Sequence, residues 1–378
     1  MAKKISIPSI HERYEQVDVK KHLYALDGIS GLGSLVIMIF HFGLFASHLE
    51  GHPYPLSKLL APIYQYGYLA VEFFFLMSGF VIEYSYSKKV KTYTFYQFLL
   101  KRIQRLYPLL MLTTILTGIL QLIYYQMMGR EYFFIHPITL WGAFLHFFGL
   151  QNAGLSVLTF NGPAWYVGVL VLMYLLYYYS SINIHRIKIY GLFIIIGVYI
   201  YCGKYNLPFL NEAIARGCVS FFAGVLLCIY YKNRNPKHAF LLGCGGGGII
   251  VLLSSLLIYI YGETIIGNTI LFFALAYFPL LLICILKSKI IYVIFSSKPL
   301  IILGELSYDI FLYHFPMQLV FVIFYNLHIF KGFHLYRIET LGLWIMSTIL
   351  IAFISKKCVD KRIGCLFDYF LQVFDLKP

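Results

Sequence analysis

The sequence predicts an all-α integral membrane protein of about ten transmembrane helices, with both termini cytoplasmic and one short re-entrant or interfacial segment. Three observations lead to this fold class. Of the 378 residues, 60% are hydrophobic and only 12% are charged, whereas soluble domains are roughly 25% charged. The apolar residues fall into runs of about 20, the length at which a helix crosses a bilayer core. The basic residues lie between these runs and are concentrated in alternate segments. A soluble fold is therefore excluded.

Ten apolar runs fit the template of a membrane-spanning helix. They cover residues 25–46, 63–86, 107–127, 164–182, 187–203, 212–231, 238–261, 265–286, 304–327 and 338–356. The fifth run is short, and the boundary between the eighth and ninth runs is not sharply defined by the sequence. Nine or eleven helices are therefore the alternatives to ten. The apolar stretch Thr139–Leu150 is interpreted as a re-entrant or interfacial piece, because it is too short to span.

The distribution of Lys and Arg orients the chain. All but six of the 30 basic residues lie in the segments on one side of the predicted membrane. The six on the other side are Lys58, Arg130, Lys204, Arg216, Lys331 and Arg337. Basic residues accumulate on the cytoplasmic side of membrane proteins. Both termini are therefore predicted to be cytoplasmic, which requires an even number of helices, as ten is.

The chain is expected to form one membrane domain. Residues 1–24 are predicted to be a cytoplasmic N-terminal segment, 25–356 the transmembrane domain and 357–378 a cytoplasmic tail. The longest outer segment, Met128–Pro163, is the natural extracytoplasmic platform. The net charge of +14 is too scattered to indicate a nucleic-acid partner. The seven cysteines form no CxxC pair, so neither a disulfide framework nor a metal site is predicted.

Ionisable residues inside apolar runs are the first candidates for chemistry, because a charge there is costly. His41 in the first run and Glu72 in the second both lie roughly 9 Å from the outer end of their helix, so we expect them to face each other. A carboxylate at that position fixes the tautomer of an imidazole and stabilises the imidazolium, which makes His41 a general base. The alternative is structural: a histidine bonded to a neighbouring helix, and Glu72 paired with a Lys or a backbone group.

Five further side chains are candidates for binding. Arg102 and Arg105, three residues apart, share one face of a helix that enters the membrane, an arrangement suited to phosphate; satisfying topology or binding anionic lipid is the alternative. His314 is predicted near mid-membrane as a substrate-binding group, with an interhelical hydrogen bond as the alternative. Trp165 and Arg216, at the outer starts of their helices, are predicted to line a substrate cavity or else to anchor the interface.

An ordered set of short motifs along most of the chain resembles the acyltransferase-3 family. These are multi-span membrane acyltransferases that O-acylate bacterial surface glycans and some small molecules. The motifs are Leu26-Asp27-Gly28 leading to Phe40-His41-Phe42; Gly67 with Val71 to Phe80; Phe98 with Arg102, Arg105 and Tyr107-Pro108; Asn161 to Tyr166 with Tyr174; Arg216-Gly217 with Phe222 and Gly224; and Leu303 to Tyr308 through His314. Each motif is weak alone, and their order carries the resemblance.

The resemblance implies roles for particular residues. It implies that His41 is the essential catalytic group and that Arg102 and Arg105 bind the acyl donor from the cytoplasm. One departure concerns the position eleven residues before the histidine, where the family usually has an arginine and this chain has Ser30. A hydroxyl offers one neutral hydrogen bond there, whereas a guanidinium offers two charge-assisted ones. The glutamate that many relatives carry shortly after the tryptophan is also absent, with Leu170 and its apolar neighbours in its place.

The predicted function is therefore transfer of an acyl group, most simply acetyl, from cytoplasmic acetyl-CoA or another acyl-CoA to a hydroxyl of an extracytoplasmic glycan such as O-antigen, capsule or exopolysaccharide. No permanently bound cofactor and no metal are expected. The expected location is a bacterial cytoplasmic membrane, in contact with lipid, and homo-oligomerisation stays open. Two reaction routes also stay open: direct transfer to the acceptor, and transfer through an acyl-histidine intermediate. The alternatives are a secondary transporter or flippase and an altered family member acting as a scaffold.

Overall fold

The computed structural model describes residues 22–48, 51–129, 133, 138–155, 160–233, 269–329, 332 and 334–358. These residues form helices joined by short connections, with no β-strand among them. The helices are α1 Tyr24–His41, α2 Ser57–Tyr66, α3 Ala70–Tyr86, α4 Phe95–Met127, α5 Leu140–Phe147, α6 Trp165–Ser181, α7 Arg186–Cys202, α8 Glu212–Asn233, α9 Thr269–Phe272, α10 Phe278–Lys287, α11 Lys289–Phe295, α12 Lys298–Glu305, α13 Ser307–Asn326 and α14 Ile338–Cys358. The predicted all-helical membrane fold is confirmed.

Eight helical segments in the described part are long and apolar enough to cross a membrane. They are Tyr24–Phe45, Ser57–Tyr86, Phe95–Met127, Gly162–Ser181, Glu212–Lys232, Ile270–Lys287, Ser307–Asn326 and Ile338–Cys358. The fifth predicted run forms α7, whose 17 residues extend about 25 Å, short of a bilayer core of ~30 Å. The seventh predicted run, 238–261, lies outside the described residues. The count of ten and the side of each terminus stay predictions.

Two predicted boundaries differ in the structure. The third predicted run, 107–127, is the second half of a longer helix, α4, which begins at Phe95. Thr94 and Gln97 form a capping box that starts this helix there. The ninth predicted run is broken at Leu306, which separates α12 from α13. The stretch interpreted as re-entrant or interfacial contains α5, and its eight residues extend about 12 Å, too short to span.

Helices α3 and α8 run parallel and touch backbone to backbone. Their contacts follow the same order along both helices: Glu72 with Arg216, Gly79 with Phe221, and Glu83 with Lys232. A Cβ atom on Gly79 would lie 1.9 Å from the carbonyl oxygen of Phe221. One on Gly224 would lie 1.9 Å from the carbonyl oxygen of Leu76. Only glycine permits this approach, which fixes the depth at which Glu72 and Arg216 meet.

Candidate active site

Helix α13 holds His41 by two side chains. His314 and Gln318 are four residues apart, so they leave the same face of the helix. The Nε2 atom of Gln318 donates to the carbonyl oxygen of His41, the last residue of α1, at 2.7 Å. The Nε2 atom of His314 lies 3.1 Å from Nδ1 of His41, and the two rings stack at 4.9 Å with an angle of 28°. Both the backbone and the ring of His41 are therefore fixed by α13.

The surroundings of His41 determine which of its nitrogens carries the hydrogen. Its side chain also reaches the carbonyl of Ile37, one turn earlier on α1. A carbonyl only accepts, so a hydrogen bond to Ile37 requires a hydrogen on the ring nitrogen of His41 that faces it. We therefore assign the hydrogen to Nδ1, which shares it with Nε2 of His314. The Nε2 atom of His41 then carries a lone pair.

A proline inside α13 connects this helix to the segment before α6. Pro316 has no N–H, so the carbonyl of Leu312, four residues earlier, lacks its helical donor. The Nδ2 atom of Asn161 donates to that carbonyl at 3.0 Å, and Asn161 is fully buried. This hydrogen bond fixes the chain just before Trp165, the first residue of α6. The helix that carries His314 and the start of α6 are thus held together.

Arg216 and Glu72 form a buried ion pair. The Nε atom of Arg216 donates to Oε1 of Glu72 at 2.5 Å, and the side chains are 12% and 0% exposed. The guanidinium also lies 3.8 Å from the exposed carboxylate of Glu212 and 5.2 Å from the centre of the Trp165 ring. These partners leave the guanidinium a defined orientation, with the carboxylate of Glu72 at one edge and the indole against its face.

A cavity of about 190 Å³ brings the imidazole and the guanidinium together. His41, Trp165 and Arg216 line it, with an otherwise largely apolar wall. The other lining residues are Ile37, Phe40, Tyr68, Val71, Pro163 and Phe311. A small apolar cavity with one base and one permanent cation can hold a polarised carbonyl group, because the low dielectric strengthens both interactions.

The predicted contact between His41 and Glu72 is wrong, because each side chain has another partner. The Nδ1 atom of His41 lies 3.1 Å from Nε2 of His314, and Glu72 pairs with Arg216. A buried carboxylate gains more from a permanent guanidinium charge than from a neutral imidazole, so Glu72 pairs with the arginine. His314 makes an interhelical hydrogen bond with His41, and its predicted role in substrate binding stays a prediction.

Residues 23–355 match the sequence profile of the acyltransferase 3 family, described as an acyltransferase domain. The chain belongs to the acyltransferase-3 family. The match spans nearly the whole chain and includes all seven candidate site residues. No curated protein and no solved structure matches the chain significantly. Together with its apolar helices, the family makes this a multi-pass membrane protein and supports acyltransferase chemistry.

The two arginines on α4 of this acyltransferase-3 protein lie in different environments. Arg102 is 8% exposed, its guanidinium lies 4.2 Å from the centre of the Tyr86 ring, and its Nε atom is buried without a hydrogen-bond partner among the described residues. Arg105 is exposed. The two residues were predicted to share one helix face, and the structure buries Arg102 while Arg105 is exposed. Arg102 is therefore a buried cation that stacks on an aromatic ring and has one unpartnered donor, Nε.

A stripe on α13 leads from the arginines to the histidine pair. Tyr308, Phe311 and His314 recur at three-residue steps, over a rise of about 9 Å. The Tyr308 hydroxyl donates to the carbonyl of Leu106 at 2.7 Å, beside Arg105. The Phe311 ring lies 6.0 Å from that of His314 and lines the cavity. The stripe thus extends from Tyr308, which contacts α4 next to Arg105, to Phe311, which lines the cavity.

Ser30, at the position where the family usually has an arginine, is satisfied within its own helix. Its hydroxyl donates to the carbonyl of Leu26 at 2.7 Å and also lies 3.9 Å from the sulfur of Met77. It is three helical turns, about 16 Å, from His41. The hydroxyl therefore offers no free donor in place of a guanidinium. Lys20 and Lys21, which could supply a compensating charge, lie outside the described residues.

Two residues that hold the site together were missed by the sequence reasoning. Gln318 caps the carbonyl of His41, and Asn161 supplies the donor that Pro316 removes from α13. A signal for Gln318 exists, since it is a polar residue four positions after His314 in an otherwise apolar helix. A signal for Asn161 is the proline that leaves a carbonyl without its donor, although the sequence alone does not say which residue replaces it.

Proposed function

We propose that this protein is a membrane O-acyltransferase that moves an acyl group, most simply acetyl, from cytoplasmic acyl-CoA to a hydroxyl of an extracytoplasmic glycan. The observation that carries the proposal is the shared cavity of His41 and Arg216, with Nδ1 of His41 bound to His314. That arrangement supplies a base and a cation at one carbonyl-sized site. The family supplies the reaction class.

His41 acts as the base in the proposed reaction. Its Nε2 atom takes the proton of the acceptor hydroxyl while the hydroxyl oxygen attacks the thioester carbonyl carbon. The C–O bond forms, the tetrahedral intermediate collapses with cleavage of the C–S bond, and the imidazolium returns the proton to the leaving thiolate. His314 is a positioning residue, because it accepts from Nδ1 and thereby keeps the lone pair on Nε2.

Arg216 stabilises the negative charge that develops on the thioester oxygen. Its Nε atom donates to Glu72, and Arg216 and His41 both line the cavity. A preoriented donor in a water-poor cavity is worth far more than one in water, since it needs no reorganisation during the reaction. Glu72 is therefore proposed to orient Arg216 rather than the imidazole, and Trp165 packs against the guanidinium.

The acyl donor is proposed to bind from the end of α4. Arg105 at the surface and the unpartnered Nε of Arg102 suit the phosphates of coenzyme A. The stripe of Tyr308 and Phe311 offers an apolar path along which the pantetheine arm reaches the cavity. The positive-inside prediction, which makes this end cytoplasmic, supports the same direction. A bacterial cytoplasmic membrane is proposed as the location.

The same geometry serves a covalent route. The Nε2 lone pair of His41 can attack the thioester itself, release the thiolate and carry the acyl group until the acceptor hydroxyl displaces it. The two routes differ in one observable: only the covalent route leaves labelled acyl on the protein when no acceptor is present. Acid quenching of the enzyme after exposure to labelled acyl-CoA separates them.

The first experiment reconstitutes the protein in vesicles with labelled acetyl-CoA and measures thioester hydrolysis and transfer to added glycan. We expect the wild type to turn over and His41→Ala to be inactive. Arg102→Ala is expected mainly to raise the apparent KM for the donor. Lys204→Ala, an exposed outer residue away from the cavity, is the control. A wild type that neither binds nor consumes acyl-CoA, under conditions where a related enzyme does, would contradict the proposal and favour a transporter or scaffold.

A further inference from the structure

A second cavity opens at the predicted outer end of the molecule, apart from the one that holds His41. It measures about 500 Å³ and lies between the chain around residues 52–59 and the start of α14. Binding sites for small ligands generally measure ~300–1,000 Å³. We call it the outer cleft, and its lining includes His52, Tyr54, Lys58 and Tyr336. Its size suits one or two sugar rings.

Aromatic rings from the two sides of the outer cleft meet across it. The His52 ring stacks on Tyr336 at 3.9 Å, with an angle of 29° between the planes. On the same side as His52, Tyr54 stacks on Tyr64 at 4.9 Å and 26°. Such rings present an apolar face and a polar edge, which matches a pyranose, whose C–H face is apolar and whose rim carries hydroxyl groups.

The outer cleft carries a cation and no acid among its described lining residues. Lys58 lines it, is exposed and makes no ion pair with any described residue. An ammonium group that makes no ion pair attracts an anion through its charge. The cleft therefore favours a saccharide that carries a carboxylate or a phosphate over a neutral one.

The outer cleft is linked to the end of α1 that bears His41. The Tyr64 hydroxyl donates to the carbonyl of Pro55 at 2.9 Å, and the Tyr64 ring lies 6.4 Å from that of Phe42. A Cβ atom on Gly43 would lie 3.9 Å from the Tyr54 hydroxyl. Phe42 and Gly43 directly follow His41, so the residues of the cleft contact the same end of α1 that carries the histidine.

We propose that the outer cleft is an acceptor subsite for an anionic saccharide unit, next to the unit that receives the acyl group. This inference rests on the proposed function, since it assigns a substrate class to the same reaction. It places acceptor recognition on the segment before α3 and the start of α14, rather than only on the predicted outer platform Met128–Pro163. Tyr336 and His52 supply an aromatic surface at the cleft, and Lys58 supplies the charge.

The test measures binding without any acyl donor, so that its result does not depend on turnover. The probes are trigalacturonic acid, which is acidic, and maltotriose, which is neutral, titrated onto the full chain in detergent micelles. The variants are Lys58→Glu and Tyr336→Ala. The matched controls are Lys204→Glu and Tyr199→Ala, which change an exposed lysine and an exposed tyrosine at the same predicted end.

We expect Lys58→Glu to raise the Kd for trigalacturonic acid roughly tenfold, and Tyr336→Ala to weaken binding of both sugars. The controls should change neither Kd. Thioester hydrolysis without acceptor should be unchanged in the control variants Lys204→Glu and Tyr199→Ala. Failure of the proposed function would show separately, as a wild type without that hydrolysis. Unchanged Kd values in Lys58→Glu and Tyr336→Ala would overturn the inference. So would loss of binding to phosphatidylglycerol vesicles with no change for either sugar, which would identify a lipid headgroup site.

Discussion

The Nε2 atom of His314 and the Nδ1 atom of His41 lie 3.1 Å apart although 273 residues separate them in the chain. With Gln318 bound to the carbonyl of His41 from the same helix face, the imidazole is held both at its ring and at its backbone. An imidazole fixed in this way keeps one tautomer and one direction, which general-base catalysis requires. The relationship makes His314 the residue whose replacement is most informative after His41 itself.

Replacing His314 with Leu is expected to lower kcat about 100-fold, within the usual contribution of an oriented general base. The KM for acyl-CoA should not change, because His314 lies away from the arginines at the far end of the stripe. His314→Gln should retain more activity, since its amide oxygen can accept from Nδ1 of His41. Steady-state kinetics in vesicles measures kcat and the KM for acyl-CoA separately. Equal activity of the Leu and Gln variants, at equal thermal stability, would show that His314 only fills space.

Removing the charge of Glu72 is expected to destabilise the protein. Glu72→Gln leaves the guanidinium of Arg216, 12% exposed, without its closest anion. Breaking a buried pair in this way lowers the free energy of unfolding by about 3 kcal/mol, at the lower end of the usual range because Glu212 remains 3.8 Å from the arginine. Thermal unfolding in detergent micelles measures the change.

The matching double variant tests the pair itself. Glu72→Gln combined with Arg216→Gln removes both charges and should recover most of the lost stability, while activity stays lost if Arg216 stabilises the developing oxyanion. Glu212→Gln is the control, and its effect should stay below about 1 kcal/mol because that carboxylate is exposed. A double variant less stable than Glu72→Gln would contradict this interpretation.

Gly79→Ala is expected to lower the free energy of unfolding by about 1–3 kcal/mol, the usual effect of overpacking. The added methyl group would lie 1.9 Å from a backbone oxygen of α8, so the two helices must move apart. Gly342→Ala on α14 is the matched control, because a Cβ there meets nothing within 4 Å and alanine is the better helix former. Thermal unfolding that ranks the two variants in the opposite order would contradict the close packing of α3 and α8.

The contribution of His22 should depend on pH. The hydrogen bond with Asp27, at 2.5 Å, raises the pKa of His22 above its usual 6.5. Because the folded state favours the protonated form, the stabilisation is fully present below pH 6.5 and is lost as the pH rises through the raised pKa. Thermal unfolding of wild type and His22→Gln between about pH 5 and 9 should show a difference that shrinks with rising pH. A difference that grows with pH would show that the pair does not form.

Much of the fold followed from the sequence because a bilayer imposes one strong constraint on composition. A run of about 20 apolar residues has few options other than a membrane-crossing helix, and eight of the ten predicted runs correspond to candidate spans in the described residues. The helix starts were less accurate. The capping box at Thr94 and the break at Leu306 act over single turns that an apolar run does not reveal.

The sequence by itself determined the kinds of groups available: a histidine at the end of the first helix, a few acids and arginines in apolar surroundings, and the ordered motifs of the family. Only the tertiary structure decided which of them meet. Glu72 was expected beside His41 from depth alone, but depth leaves the rotation of each helix about its axis undetermined. The glycine contact between α3 and α8 fixes that rotation, so that Glu72 contacts Arg216. On the other side, His314 and Gln318 of α13 contact His41. These pairings join segments 144 and 273 residues apart, and such contacts depend on how all the helices pack.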